Sequence, residues 1–370
     1  MNGTYKIPLY GIARQYSRIR EEILSVTDTV LKSGMLMDSG SSPRFVSRMK
    51  WHCARSHAIP VHSGTEALIF ALRALKNRRP VDIPRVLVPT VSFIATLNAV
   101  YEAGCRPVFC DVDANGLLDL DKIPDPKQID IVLYVNLYGN ILDYEKLQLV
   151  TKFFGNDIPI IEDAAQSFGA SFKNRPSGSL GTISCLSFDP TKNFNNYGNG
   201  GMVLTDDFEL ALDVDSMHKH GIAGSHIESG TNSRMSEVDC AQMLIKYKYF
   251  EKWQERRRAI AAYYDSILSP VVQTMQYDNR ITPAYSKYVI RTPRRYTLQN
   301  FLATCSIETK LTYEIPLPAY DLNVYSAPHE YPMADEHCKT CLSLPIYPEL
   351  TDTEVEEVAS KICKFLQTEP

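Results

Sequence analysis

Ile158-Pro-Ile-Ile-Glu-Asp163 and Ile183-Ser-Cys-Leu-Ser-Phe188 decide the fold. Each is a short apolar run with polar groups at its end, and neither alternates polar with apolar residues. That is the pattern of a strand covered on both faces. Further runs of this kind are RVLVP at 85–89, PVFCDV at 107–112, IVLYVNL at 131–137 and MVLT at 202–205. Helix-length amphipathic stretches fit between them, at 65–75, 94–103 and 144–154. Strands separated by helices predict a mostly parallel sheet in an α/β domain. Past residue 205 the character changes. A long stretch with few helix breakers runs over 236–268, weaker strand candidates such as YVIR at 288–291 follow, and 352–366 reads as a closing amphipathic helix. The organisation predicted is a large domain over residues 1–250, including an N-terminal arm, and a small C-terminal α+β domain over 251–370. The boundary falls inside the long helix.

The composition narrows the function classes. Of 370 residues, 44% are apolar, which is enough to bury a core and excludes disorder as the main state. With 43 acidic and 39 basic residues the net charge is −4, which argues against a nucleic-acid binder and gives no attraction to anionic membranes. No apolar run approaches the roughly 18 residues of a membrane span. The N-terminal segment lacks the apolar core of a secretory signal, so a cytoplasmic protein is expected. The nine cysteines are expected to be reduced, inert thiols. His337, Cys338 and Cys341 have the spacing of half a zinc site, but no second half completes it, so no metal is expected. The sequon at Asn2 carries no meaning in that compartment.

Ligands of α/β sheets sit at the carboxyl ends of the strands, so the polar residues after each run are the candidates. Ser63, Gly64 and Thr65 precede a helical stretch. Alone they read first as a helix cap, but free N–H groups at a helix start also form an anion site. Glu162 and Asp163 end a buried run, where an acidic pair is a metal ligand, a general base, a partner for a cation or a cap. Lys192 closes SFDPTK at 187–192, in a short loop behind a core strand, and GNGG at 198–201 follows. Lysine is ordinarily a surface residue, and the glycine spacing is not that of a dinucleotide site. Phe93 follows VLVPTVS and is either core or a platform for a flat ring. Taken jointly, these groups match the needs of pyridoxal phosphate. A lysine bonds the aldehyde carbon. A carboxylate keeps the pyridine nitrogen protonated, so that the ring accepts electrons. A helix start and a serine hold the phosphate, and an aromatic ring stacks.

The motifs SGTEAL at 63–68, PTVSFIAT at 89–96, EDAAQSFGA at 162–170, SFDPTKN at 187–193 and GNGG at 198–201 extend that pattern. His220-Gly221, GTNSRMS at 230–236 and LPIYP at 344–348 extend it further. Over nearly its whole length the chain resembles the DegT/DnrJ/StrS family of nucleotide-sugar aminotransferases, which are type I fold pyridoxal-phosphate enzymes. The resemblance implies a mostly parallel seven-stranded sheet flanked by helices. It implies that Lys192 is the Schiff-base lysine and proton shuttle, and that Asp163 partners the pyridine nitrogen. Gln166 approaches the phenolic oxygen, and Gly64, Thr65 and Ser187 bind the phosphate. Phe93 stacks on the ring. Asn232 matches a residue that reaches the phosphate from a neighbouring subunit, which implies a homodimer with shared active sites.

Some relatives carry histidine at the lysine position and deoxygenate a sugar, so Lys192 argues for transamination. L-Glutamate is then the donor, a nucleotide-linked keto-deoxysugar the acceptor, and a 3- or 4-amino-deoxysugar the product. The readings kept beside it are the same fold acting on another cyclic ketone and a non-catalytic pyridoxal-phosphate-binding sensor. The family often has histidine where this chain has Asn136, and an acid where it has Asn199. The stretch 304–331 looks shorter than usual.

Overall fold

The computed structural model describes residues 5–79, 81–153, 158–222, 229–320 and 331–367. Two helices, α1 (Ile12–Ser33) and α2 (Ser41–His52), lead into β1 (His57–Val61), α3 (Gly64–Lys76), β2 (Arg85–Pro89), α4 (Ile94–Glu102) and β3 (Arg106–Cys110). Then come β4 (Ile131–Val135), α5 (Tyr144–Phe153), β5 (Ile160–Asp163), β6 (Ser171–Phe172) and β7 (Arg175–Pro176). They are followed by β8 (Ile183–Ser187), β9 (Gly201–Thr205), α6 (Phe208–Met217) and α7 (Glu237–Leu268). The remainder is β10 (Gln273–Thr274), β11 (Ile281–Thr282), β12 (Tyr288–Arg291), α8 (Arg295–Thr304), α9 (Pro332–Thr340), β13 (Cys341–Leu344) and α10 (Asp352–Gln367). Residue 154 of the expected third helical stretch, part of 304–331 and the sequon at residues 2–4 lie outside the described residues.

The main sheet has seven strands in the order β1-β9-β8-β5-β4-β2-β3. Five of them, from β8 to β3, pair in parallel. The run at 202–205 is a correction to the simple alternation, because β9 is antiparallel to both neighbours. Residues 188–200 between β8 and β9 contain no crossover helix, and only a crossover lets consecutive strands run in parallel. A strand absent from the expected set is β1. Its sequence, HAIPV, holds a proline, which is tolerated because β1 forms one edge of the sheet.

The core of the sheet, including Val86, Leu87, Ile131, Leu133 and Ile161, is fully buried. The helix α7 starts with a capping box between Ser236 and Asp239. Its first half packs Cys240, Met243 and Phe250 against Phe168, Phe188 and Phe194. Its last turns pack Ile260, Tyr264 and Leu268 with Ile290, Leu298, Leu342 and Ile362. Of the consecutive arginines 256, 257 and 258 on this helix, Arg257 is buried and donates to the carbonyl of Ile346 at 2.5 Å. All nine cysteines are free, and seven are buried.

Successive strand residues face opposite ways, and β5 uses this to divide its acidic pair. Glu162 is fully buried and accepts five hydrogen bonds. The donors are Asn136 Nδ2 (2.9 Å), Ser177 Oγ (3.0 Å), Gly178 N (3.0 Å), Leu180 N (2.9 Å) and Ser184 Oγ (2.8 Å). Arg55 braces the same loop by donating to the carbonyls of Gly178 and Gly181. Glu162 therefore ties β4, β5, β8 and the 177–181 turn together. Asn136, the residue at the departure from the family pattern, belongs to this network, and its Oδ1 accepts from Leu142 N at 3.0 Å. Glu162→Gln puts an NH₂ group among these donors and is expected to lower stability by about 2 kcal/mol or more, read as a fall in the urea midpoint.

Candidate active site

A cavity of about 560 Å³ opens beside the carboxyl ends of β5 and β8, the start of α3 and the segment leading into α4. It gathers Gly64, Thr65, Phe93, Asp163, Gln166, Ser187 and Lys192 on one lining. Asn232, the eighth expected residue, is exposed and is not part of that lining. It forms an isolated bridge with Lys219.

The 63–65 segment forms a helix cap and also lines the cavity. Ser63 caps α3, its Oγ accepting from Glu66 N at 3.2 Å. The N–H groups of Gly64 and Thr65 precede any helical acceptor, and both residues face the cavity. Gly64 is required by close packing, since a Cβ there would stand 2.6 Å from Ser187 Cβ. The start of α3 and Ser187 thus form one narrow cradle of donors. Phe93 is 52% exposed at the cavity, so it is not core, and its ring lies 6.0 Å from that of Tyr313.

Asp163 ends β5 on the cavity side. Its Oδ1 accepts from Ala165 N at 3.1 Å and its Oδ2 from Thr96 Oγ1 at 3.3 Å, and Thr96 in turn contacts Ser92 Oγ at 2.7 Å. Burial pushes the Asp163 carboxyl above its ordinary range, against the pull of the Ala165 N–H, Lys192 and Thr96. Burial pushes the Lys192 ammonium below its ordinary range, opposed by Asp163 and Asp189 and aided by Lys310. Among the described residues neither group has an ion pair within 4 Å. Gln166 is held at both ends, accepting from Tyr138 N at 3.2 Å and donating to Tyr313 OH at 2.9 Å.

Several lining residues carried no signal in the reading by strand ends. Thr96 and Ser92 sat inside a quoted motif, but the bond from Thr96 to Asp163 crosses 67 positions of sequence, and Ser92 reaches Asp163 only through Thr96. Tyr10, Lys287, Lys310 and Tyr313 come from the N-terminal arm and the C-terminal third. Lys287 precedes the expected strand at 288–291, and a lysine entering a buried strand was the available signal. Elsewhere, the half zinc pattern folds into packing. His337 Nε2 contacts Tyr138 OH at 3.0 Å, and Cys341 Sγ lies 3.4 Å from the Tyr313 carbonyl.

The donor set fits pyridoxal phosphate. A half-buried amine and a buried carboxyl, both pushed toward neutrality, suit a ring bearing an aldehyde carbon and a basic nitrogen. A donor cradle a methyl group would fill suits a phosphate. The sequence profile of the DegT/DnrJ/EryC1/StrS aminotransferase family matches residues 17–363, and the chain belongs to that family. It is a pyridoxal-phosphate-dependent enzyme. The chain is 32% identical to a protein of Geobacillus stearothermophilus named pleiotropic regulatory protein, covering 97% of this chain and 98% of that one. It is also 32% identical to the dTDP-3-amino-3,4,6-trideoxy-alpha-D-glucose transaminase of Streptomyces venezuelae, covering 98% and 97%. The solved structure of Streptomyces venezuelae DesV superposes with a TM-score of 0.92 at 30% identity, covering 99% of this chain and all of that one.

Gly64→Ala is expected to weaken pyridoxal phosphate at least about tenfold in a spectroscopic titration, because Ser187 must move out of the cradle. A second expectation follows from Lys287, which burial and the neighbouring cations push down to about 7. An unfolded lysine titrates near about 10.4. Between those values the unfolded chain binds a proton that the folded chain lacks, so this group makes stability rise with pH. Lys287→Met removes the cost of charging a buried lysine. Its stability advantage over wild type, from urea unfolding, is therefore expected to be largest at and below pH 7 and to shrink toward pH 10.

Proposed function

We propose that the enzyme transfers the amino group of L-glutamate to a nucleotide-linked keto-deoxysugar, forming a 3- or 4-amino-deoxysugar. The single observation that carries this is the placement of Lys192 and Asp163 in one cavity with a donor cradle and an exposed ring. The transaminase name of the Streptomyces venezuelae relative supports the substrate class. When bound, pyridoxal phosphate supplies the electron sink for a substrate carbon that loses its proton. Asp163 holds the proton on the ring nitrogen. Gly64, Thr65 and Ser187 fix the phosphate, Phe93 covers one ring face, and Gln166 approaches the phenolic oxygen. Lys192 Nζ would take the proton from the donor carbon in the first half-reaction and give a proton to the acceptor carbon in the second. Its lowered affinity for protons suits that role, because a lysine at its ordinary pKa is protonated at neutral pH.

The same reading makes the molecule a cytoplasmic homodimer. Asn232, exposed on this chain, would complete the phosphate site of a partner subunit. The large domain, 1–250, would carry the cofactor, and 251–370 would form the small domain, with α7 crossing between them. That helix packs Cys240, Met243 and Phe250 in one apolar cluster and Ile260, Tyr264 and Leu268 in another, which supports the boundary.

A second reading rests on the regulatory name of the Geobacillus stearothermophilus relative. In it the chain binds the cofactor as a sensor without turnover. The visible spectrum separates the two. Wild type loaded with pyridoxal phosphate should show a visible band that glutamate removes. Lys192→Ala should lack that response, and Asp163→Asn should bind the cofactor yet lose the band about 10²-fold more slowly or worse. A wild-type band that ignores every amino donor would leave the sensor reading standing.

A further inference from the structure

Two lysines in the cavity have no role in holding the cofactor. Lys287 is only 8% exposed, and a buried ammonium needs an anion. Among the described residues its Nζ makes one hydrogen bond, to Tyr10 OH at 3.5 Å, the far limit of such a bond. Lys310 lines the same cavity. Among the described residues neither lysine makes an ion pair within 4 Å. Both are fixed by their backbones. Lys287 N donates to the Tyr138 carbonyl at 3.3 Å, and Lys310 exchanges two hydrogen bonds with Ser343 of β13, at 3.2 and 2.8 Å.

The charges facing Lys287 are mostly of its own sign. Lys192, Lys310 and Arg257 disfavour its charged form, and Asp189 is the anion that favours it. The Asp189 carboxylate is itself engaged, since its Oδ1 accepts from Thr191 N at 2.9 Å and from Thr191 Oγ1 at 2.5 Å. The phosphate of the cofactor belongs at the start of α3 with Ser187. A further anion is therefore wanted near Lys192.

We propose that Lys287 and Lys310 form a subsite for a substrate carboxylate beside the carbon on which Lys192 acts. The inference rests on the transaminase reading. In an amino-acid donor the α-carboxylate is bonded directly to the carbon that loses its amine, so it must lie close to Lys192. The diphosphate of a nucleotide sugar is attached at the anomeric carbon, away from a ketone at carbon 3 or 4. The carboxylate can come from the donor or from an acidic group on the acceptor sugar, and the same two lysines recognise either.

The test uses the cofactor-loaded protein and the variants Lys287→Met, Lys310→Met and the charge-retaining Lys310→Arg. Retention of the visible band in each variant shows that the fold and the cofactor site are intact. Glutarate, a dicarboxylate with no amine to transfer, is titrated by calorimetry. The expected result is a Kd about tenfold higher or more in each methionine variant, with Lys310→Arg near wild type. The KM for glutamate in the first half-reaction should rise in proportion while the limiting rate changes little. If glutarate and glutamate are unaffected but UDP-glucuronate binds the methionine variants more weakly, the carboxylate belongs to the acceptor. If none of the three ligands responds, the subsite is overturned. Wild type that keeps its band with glutamate would defeat the transaminase reading instead, and the glutarate titration still reads the lysines because it needs no turnover.

Discussion

The site depends on an amine and a carboxyl that line one cavity, with no ion pair between them among the described residues. Burial drives both toward their neutral forms, raising Asp163 and lowering Lys192, and each pulls the other part of the way back. Two unpaired charges in a low-dielectric space are costly, so such an arrangement calls for a group that serves both. A protonated pyridine ring with an aldehyde does so. On the proposed reading its nitrogen would give Asp163 a cation, and its aldehyde carbon would give Lys192 a bond in place of a charge. A cofactor bound in this way would relieve a constraint that the bare protein carries, and the same burial lowers the affinity of Lys192 for a proton.

That arrangement needs a rigid floor. Two adjacent carboxylates on β5 serve opposite ends because a strand turns successive side chains to opposite faces. Glu162 spends its charge on five donors and locks the strand to its neighbours, leaving Asp163 fixed at the cavity with one backbone and one hydroxyl donor. Gly64 permits the start of α3 to meet Ser187 at a distance that excludes any side chain. The long helix α7 and the capped start of α3 hold their positions through local signals, a capping box at Ser236 and an N-cap at Ser63.

Much of this was legible in the chain. Buried parallel strands announce themselves as unbroken apolar runs, and the run at 85–89 coincides with β2. The long helix expected from 236 begins with Ser236 as its cap and ends at Leu268, because capping chemistry is local. Seven candidate residues were legible because they follow strand ends or match family motifs, and one cavity gathers all seven. Other features were not legible. The antiparallel turn of β9 depends on the absence of a crossover helix, which a glycine-rich loop does not reveal by composition. The edge strand β1 was hidden by its proline. Lys287, Lys310 and Tyr313 reach the site from the C-terminal third, and contacts across more than a hundred positions leave no periodic trace. Glu162 looked as catalytic as Asp163 until the fold showed which face each one occupies.

The central claim is that Lys192, among the three lysines of the cavity, is the one that bonds the cofactor. Borohydride reduction of the pyridoxal-phosphate-loaded protein makes that bond permanent, and peptide mass spectrometry then locates it. The account predicts one labelled peptide, the one containing Lys192, with Lys287 and Lys310 unmodified. Label on Lys287 or Lys310, or no label on a protein that binds the cofactor, would contradict it.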